Sequence, residues 1–273
     1  IQRWIIALSV FGAFCWSVTG LEITLERILD APSDGWAVLR QMFPPAFNEV
    51  YRRGAVGKIF ESVYIAWIGT IIGAIISLPL SFLAAHNVAP SWIRVPIRQL
   101  FNIIRAVPEL VLAIILIPVT GLGAWAGTLA IGLHSVGTLG KWASESIEDI
   151  DNGPIEASKA CGGKWISGMR WGVLPQVMPT ITSYWLFRFE INVRASAVLG
   201  MIGAGGVGSE LVSQLSFRNF PAASAVLIMT IVVVLLIDSI SAAVRRRIIR
   251  GADTPNKTSR SSEAFADLTG FKN

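Results

Sequence analysis

Residues 111–140, VLAIILIPVTGLGAWAGTLAIGLHSVGTLG, contain no Lys, Arg, Asp or Glu. As one helix this run would reach about 45 Å, well beyond a hydrocarbon core about 30 Å thick. It must therefore turn back on itself. Pro118, Gly121 and Gly123 mark the turn, so the run and its approach read as two membrane spans, Ala106–Thr120 and Ala124–Ser144. The whole chain is 53% hydrophobic and 15% charged, where a soluble domain carries roughly 25% charged residues. Its mean hydropathy is +0.58. That much apolar side chain cannot all be buried in a water-soluble globule of this size, and the fold class is an all-α polytopic membrane protein.

The same ruler places four more spans, Trp4–Leu21, Ser62–Ala85, about Gln176–Leu199 and Phe220–Val244, which makes about six transmembrane helices. Pro79 is expected to kink or end the second. The chain then divides into a first transmembrane helix at 1–21, a periplasmic segment at 22–58, a core with five transmembrane helices at 59–250 and a polar tail at 251–273. The first helix lacks a convincing small-residue cleavage site and reads as retained. The tail, rich in Ser, Thr, Asn and charge, reads as disordered cytosolic chain.

Orientation follows the Lys and Arg bias of short loops. The segment 86–105 holds Arg94, Arg98 and Arg105 with no acid, and Arg245, Arg246, Arg247 and Arg250 follow the last span. Both belong on the cytoplasmic side of a cell membrane, which puts both termini inside. The net charge of +5 is then topology rather than a nucleic-acid footprint. Cys15 and Cys161 read as free thiols. His86 and His134 are isolated, with no metal-binding pattern, and no catalytic constellation is visible. Without a P-loop, any ATP must be hydrolysed on another chain.

Between the fourth and fifth spans lies a long cytoplasmic loop, 145–175. Pro154 suits the first turn of a short helix, Asp151 or Asn152 suits its cap, and Glu156 meets the positive end of its dipole. Ala157, Ser158 and Ala160 are small enough for close approach to a partner, and Gly162 and Gly163 end the helix. Glu156-Ala157-Ser158, then Gly162, then Leu174-Pro175 resembles the Glu-Ala-Ala loop of permease subunits of bacterial ABC importers. Ser158 replaces the second Ala, and Gly172 stands where an Ile is usual, with Val173 beside it. The runs Asn102–Val111 and Phe189–Gly200, with Gly203–Gly208 and Ile237-Asp238, are similar to those of phosphonate importer permeases. The resemblance covers roughly half the chain. It implies the ABC importer permease (MetI-like) fold, transport of phosphonates or related phosphorus oxyanions such as phosphite, and a coupling helix at Glu156, Ala157, Ser158 and Gly162 with Leu174 and Pro175 beyond it. It also implies a second permease copy, two ATP-binding subunits that hold ATP and Mg, and a periplasmic phosphonate-binding protein. A bland amphipathic connector is the alternative for the loop, and a passive channel or an intramembrane enzyme for the chain.

The fifth span carries Arg188, Glu190 and Arg194, where each unpaired charge costs at least about 2.5 kcal/mol. Glu190 and Arg194 stand four apart in the favourable order and can pair on one helix face. Arg188 has no acid four residues before it, and Asn192 follows on its own face. A guanidinium matches phosphonate oxygens, so Arg188, Glu190, Asn192 and Arg194 form a candidate translocation path, with pairing to a residue such as Asp238 as the alternative for each Arg. Asp238 is expected to pair locally near the basic end of its helix, and Glu109 to pair with Arg105 on one face. Gly203, Gly205 and Gly208 match a dinucleotide-binding spacing without the strand that it requires. With Gly206 they read instead as a sharp, flexible turn, a candidate outer gate. Gly69 with Gly73, and Gly123 with Gly127, have the spacing for close helix approach.

Overall fold

The computed structural model describes residues 2–20, 25–52 and 54–252, and all regular structure in them is helical. The described part of the 22–58 segment holds two helices before α4: after α1 (Gln2–Gly20) come α2 (Leu25–Gln41) and the short α3 (Phe47–Arg52). Next are α4 (Ala55–Ala84), α5 (Ser91–Ala106), α6 (Glu109–Thr120) and α7 (Ala124–Glu148). The expected loop between the fourth and fifth spans holds α8 (Gly153–Ala160) and a single turn, α9 (Trp165–Ser167). A π-helical stretch at Gly168–Val173 then runs straight into α10 (Leu174–Gly200). The chain closes with α11 (Val207–Ser216) and α12 (Phe220–Ala252), and the expected tail beyond Ala252 lies outside the described residues.

Helices α4 and α7 form the tightest pair, because small residues line the seam. A Cβ on Gly69 would stand 2.7 Å from Cγ2 of Ile131, and one on Gly73 would stand 2.5 Å from Cβ of Ser135. The two backbones approach at a distance that only glycine permits. The glycine spacing therefore serves packing within the chain. Helix α10 lies across both, and α12 packs on α10 and α11. Pro79 neither ends nor interrupts α4, which continues to Ala84.

Two helices, Ala55–Ala84 and Phe220–Ile249, have both the length and the hydropathy to cross a membrane. Their outer faces expose Ile68, Ile75 and Ile76 on α4 and Val232, Leu235, Leu236 and Ile240 on α12, as a lipid-facing surface requires. Helices α7 and α10 have 25 and 27 residues, enough for a crossing at about 1.5 Å per residue. They turn Ser135, Thr138, Ser183, Arg188, Asn192 and Ser196 inward.

The third expected span is different in the structure. Helix α6 has only 12 residues, about 18 Å, too short to cross alone. The residues expected as a loop before it form α5, and α5 and α6 meet at 89°. Pro108 causes the break: it disfavours helix at Val107, which is extended with ψ 120°, and it leads α6 as the cap residue. Helix α5 runs along the Glu148 half of α7, with the Phe101 ring seated on Gly140 and Ile104 on Gly137. Helix α6 covers the other half, so the bent pair follows the length of α7, the shape of a broken span or a re-entrant loop.

The glycine-rich turn after α10 is neither loose nor exposed. Gly203, Gly205 and Gly206 all have positive φ, which gives the chain its sharp reversal. The turn wedges between α4 and α7. Gly123 N–H donates to the Gly203 carbonyl at 2.9 Å, Val207 N–H to Ser62 Oγ at 2.8 Å and Gly206 N–H to Glu61 Oε1 at 3.2 Å. Residues 204–208, Gly208 included, are buried.

At the opposite end, Glu148 closes a clasp of α4, α5 and α7. Its Oε1 accepts from the Arg98 guanidinium and from the His86 N–H at 2.6 Å, and it lies 3.0 Å from His86 Nδ1. Arg98 Nε also donates to the Ala84 carbonyl at 2.8 Å. Burial pushes the Glu148 carboxyl up, but the His86 N–H, the Arg98 guanidinium and the His86 ring outweigh it and hold the group below its ordinary 4.5. A carboxyl lowered by folding contributes stability that is present above its unfolded value and is lost as pH falls through its folded value. The thermal stability of the purified protein should therefore fall as pH drops below about 4.5. The Glu148→Gln variant should start lower and show a flatter slope in that range. An unchanged slope would show that the clasp carries no linked stability.

Candidate coupling and translocation site

Helix α8 stands outside the helix bundle, against the π-helical stretch that leads into α10. Asp151 Oδ1 accepts the Gly153 N–H at 3.0 Å, while Asn152 occupies the cap position and offers only its backbone carbonyl, to Ile155 and Glu156. Glu156 lies in the first turn, where the dipole favours it, and is fully exposed with Ala157, while Ser158 is half-buried. Gly162 ends the helix at φ 73°, and its N–H returns to the Lys159 carbonyl at 2.9 Å. Leu174 and Pro175 form the first turn of α10, where proline's missing N–H costs nothing.

Two side chains hold α8 to the bundle. Gln176 Nε2 donates to the Asp151 and Gly172 carbonyls at 3.0 and 2.7 Å, while its Oε1 accepts the Asp151 N–H at 3.1 Å. Ile155 fills the space over Gly172, where a Cβ would stand 3.1 Å from Ile155 Cγ1 and 3.3 Å from its nitrogen. This contact explains the glycine at a position where isoleucine is usual: the branched side chain comes from α8 instead, and Val173 is buried beside it.

Within the bundle, the charged residues of α10 divide between two clusters on different faces. Glu190 pairs with Arg194 at 3.0 Å, as their spacing predicts. Arg194 also reaches Asp238 Oδ2 on α12 at 2.7 Å, and Arg245 lies 3.5 Å from Glu190. Asp238 thus pairs across helices rather than locally with its own basic end. Arg194 takes the structural partner that was its alternative reading.

Arg188 faces the other way and is buried. Its guanidinium binds the Glu109 carboxylate and lies 2.7 Å from His134 Nδ1, and its Nε donates to Ser135 Oγ at 3.1 Å. Glu109 Oε1 is also 2.9 Å from His134 Nδ1. Asn192 Nδ2 donates to Ser135 Oγ at 3.1 Å and to Thr70 Oγ1 at 2.8 Å. The 89° break between α5 and α6 takes Glu109 away from Arg105 and delivers it to Arg188, which corrects the expected local pair. Helix periodicity could not find a partner 79 residues away. The available signal was Pro108, which ends one helix immediately before the acid.

Thr70, Ser135 and Arg188 lie near the midpoints of α4, α7 and α10. The structure thus brings Arg188 and Asn192 together at mid-bundle and sets Glu190 and Arg194 apart. The buried glycine turn belongs to neither cluster.

A helical bundle with long apolar helices, ionic side chains sequestered at its centre and a bent helix pair beside them has the features of an integral-membrane protein. The sequence profile of the family described as "Binding-protein-dependent transport system inner membrane component" matches residues 77–250, and the chain belongs to that family. It is 36% identical over 241 residues to a phosphite transport system permease protein of Stutzerimonas stutzeri, covering 87% of this chain and 86% of that protein. It is 38% identical over 226 residues to a phosphate-import permease protein of Mycolicibacterium smegmatis, covering 80% of this chain but 41% of the longer relative. Among solved structures, a chain of the MetNI methionine ABC transporter superposes with a TM-score of 0.63 at 22% identity, covering 73% of this chain and 98% of that one. That likeness carries the fold.

The seat of α8 on Gly172 yields a direct expectation. Gly172→Ile should lower stability by about 1–3 kcal/mol through overpacking against Ile155. The double variant Gly172→Ile with Ile155→Ala should recover most of it, as read by thermal unfolding in detergent. A double variant no better than the single would contradict the packing.

Proposed function

We propose that this chain is the membrane-spanning subunit of an ATP-driven importer for phosphite, phosphonates or a closely related phosphorus oxyanion. The observation that carries the reading is α8, an exposed eight-residue helix with Glu156 in its first turn, Gly162 at its end and Gln176 anchoring it to α10. A helix held this firmly outside the bundle passes motion of a docked partner directly into α10. The names of the relatives supply the substrate class, and the buried Arg188 supplies a side chain suited to it.

In this reading two copies of the chain enclose the path and two cytosolic subunits bind ATP and Mg at the α8 end. A periplasmic binding protein delivers the anion at the other. Both termini face the cytoplasm, which agrees with the basic run at the end of α12. The segment before α4, with its two helices, lies on the periplasmic side. Alternating access then follows from the ATP-bound and ATP-free partners favouring different arrangements of α8, because a ligand shifts an equilibrium only by its differential affinity for the two states. The buried turn at Gly203, Gly205, Gly206 and Gly208 closes the outer end as a packed plug rather than a flexible flap.

Reconstitution of the chain with its ATP-hydrolysing and binding-protein partners should give ATP-dependent uptake of phosphite or methylphosphonate. Replacing Glu156 or Gly162 with Arg should lower that uptake at least tenfold while membrane insertion stays normal. Loss of copurifying ATPase would accompany it. Full uptake by both variants would remove α8 from the coupling path.

A further inference from the structure

Beside the Arg188 cluster, a depression of about 410 Å³ opens between α6, α7 and α10. Its wall is apolar, formed by Pro108, Leu110, Val198 and Leu199, and its polar groups are the side chains of Glu109 and His134. The Arg188 guanidinium lies behind them, 5% exposed, while Glu109 and His134 keep 17% and 15%. A carboxylate thus stands between the open space and the buried cation. Its oxygen occupies the place on the guanidinium that an oxyanion would take.

We propose that this cluster is an oxyanion-binding site, in which Glu109 is a built-in stand-in for the substrate that must give up its negative charge before the anion reaches Arg188. The proposal rests on the oxyanion-importer reading above and adds the site and its gating chemistry.

Two observations support it. Helix α6 begins at Glu109, and its capping residue, Pro108, supplies no side-chain hydrogen bond, so the positive end of a 12-residue helix meets the cluster. That field favours an anion there, whether carboxylate or substrate. Second, His134 Nδ1 lies within hydrogen-bond distance of both Arg188 and Glu109, yet one ring nitrogen cannot accept from the first and donate to the second at once. Which of the two it serves depends on its tautomer.

Charge balance fixes the rule of entry. Arg188 carries a positive charge and Glu109 a negative one, so this pair sums to zero. A monoanion alone would leave a net negative charge in a low-dielectric site, whereas a monoanion with one proton from the aqueous phase leaves zero. The proton settles on Glu109 or His134, the Glu109 carboxyl swings off the guanidinium, and the anion takes its place; both leave together. From the packed elements, the titratable and charged side chains in this cluster are Glu109 on α6, His134 on α7 and Arg188 on α10. Helix α4 contributes the Thr70 hydroxyl through Asn192, and Glu190, Arg194 and Asp238 pair among themselves.

The test is binding of radiolabelled methylphosphonate and of phosphite to the detergent-solubilised permease–ATPase complex without its binding protein. Glu109→Gln, which mimics the protonated acid, should bind at least tenfold more tightly than the native protein at pH 8. The ratio should shrink towards pH 6, and taking the ratio cancels the probe's own titration. Arg188→Lys, which keeps the buried charge and so the fold, should bind at least tenfold more weakly than native, and it decides the matter should Glu109→Gln not assemble. Equal binding by native and Glu109→Gln complexes at every pH, or undiminished binding by Arg188→Lys, would overturn the proposal. ATP-driven uptake by the native system is the separate control: if it fails for both anions, the importer reading falls, and if it persists while the variants behave as native, only the site falls.

Discussion

A charged side chain at the centre of a membrane helix must be matched by another charge, and the pairing of Arg188 with Glu109 is the constraint on which the rest of this bundle depends. Leaving either partner alone in the interior would cost about 3–5 kcal/mol. Satisfying both requires an acid on a neighbouring helix at the depth of Arg188. The break at Val107 and Pro108 provides it by starting a new helix at Glu109. Helices α4 and α7 in turn approach closely enough, through Gly69 and Gly73, to set Thr70 and Ser135 beside Asn192 and Arg188. The polar centre and the glycine seam are thus one arrangement. Small residues admit the backbones, and the space they leave is filled by hydrogen-bonded polar groups.

The second ionic cluster works at a different level of the molecule. Glu190, Arg194, Asp238 and Arg245 tie α10 to α12 on a more exposed face, where Arg194 is half exposed. Because α10 continues through the π-helical stretch to the seat of α8, it connects the α8 end to both clusters by continuous helix. Such a helix transmits displacement well. Gln176 and Ile155, which clamp α8, are therefore positioning residues for any partner bound there.

Much of this was legible in the residues themselves. Hydropathy and length found α1 and α10 to within two positions and located α4, α7 and α12, which run four to eight residues past the expected bounds at one end, because a bilayer imposes a long uniform signal that local chemistry rarely masks. The Pro154, Glu156 and Gly162 pattern located α8, since helix ends have local chemistry. The broken span was not legible to a hydropathy ruler, which averages across Pro108 and sees one apolar run beginning at Ala106. Helices α5 and α11 were also missed, because each is amphipathic or polar enough to resemble a loop when only continuous apolar runs are counted. Glu190 with Arg194 was visible as a four-residue spacing. Glu109 with Arg188 was not, and Asp238 stood only as an alternative partner for Arg194, because contacts between distant segments are products of packing. The glycine run was recognised as a sharp turn, but its buried place between α4 and α7 depends on partners, Ser62, Glu61 and Gly123, that the run itself does not contain.

The measurement that tests the central claim most directly is a double-mutant cycle on Glu109 and Arg188, read by unfolding of the purified chain in detergent with Gln at 109, Met at 188, and both. If the pair organises the centre of the bundle, each single variant strands one buried charge, and the double variant costs clearly less than the sum of the two, with a coupling within the range of about 0.5–3 kcal/mol found for contacting residues. Strictly additive losses would mean that the two side chains do not hold each other, and the account of the broken span would have to be abandoned.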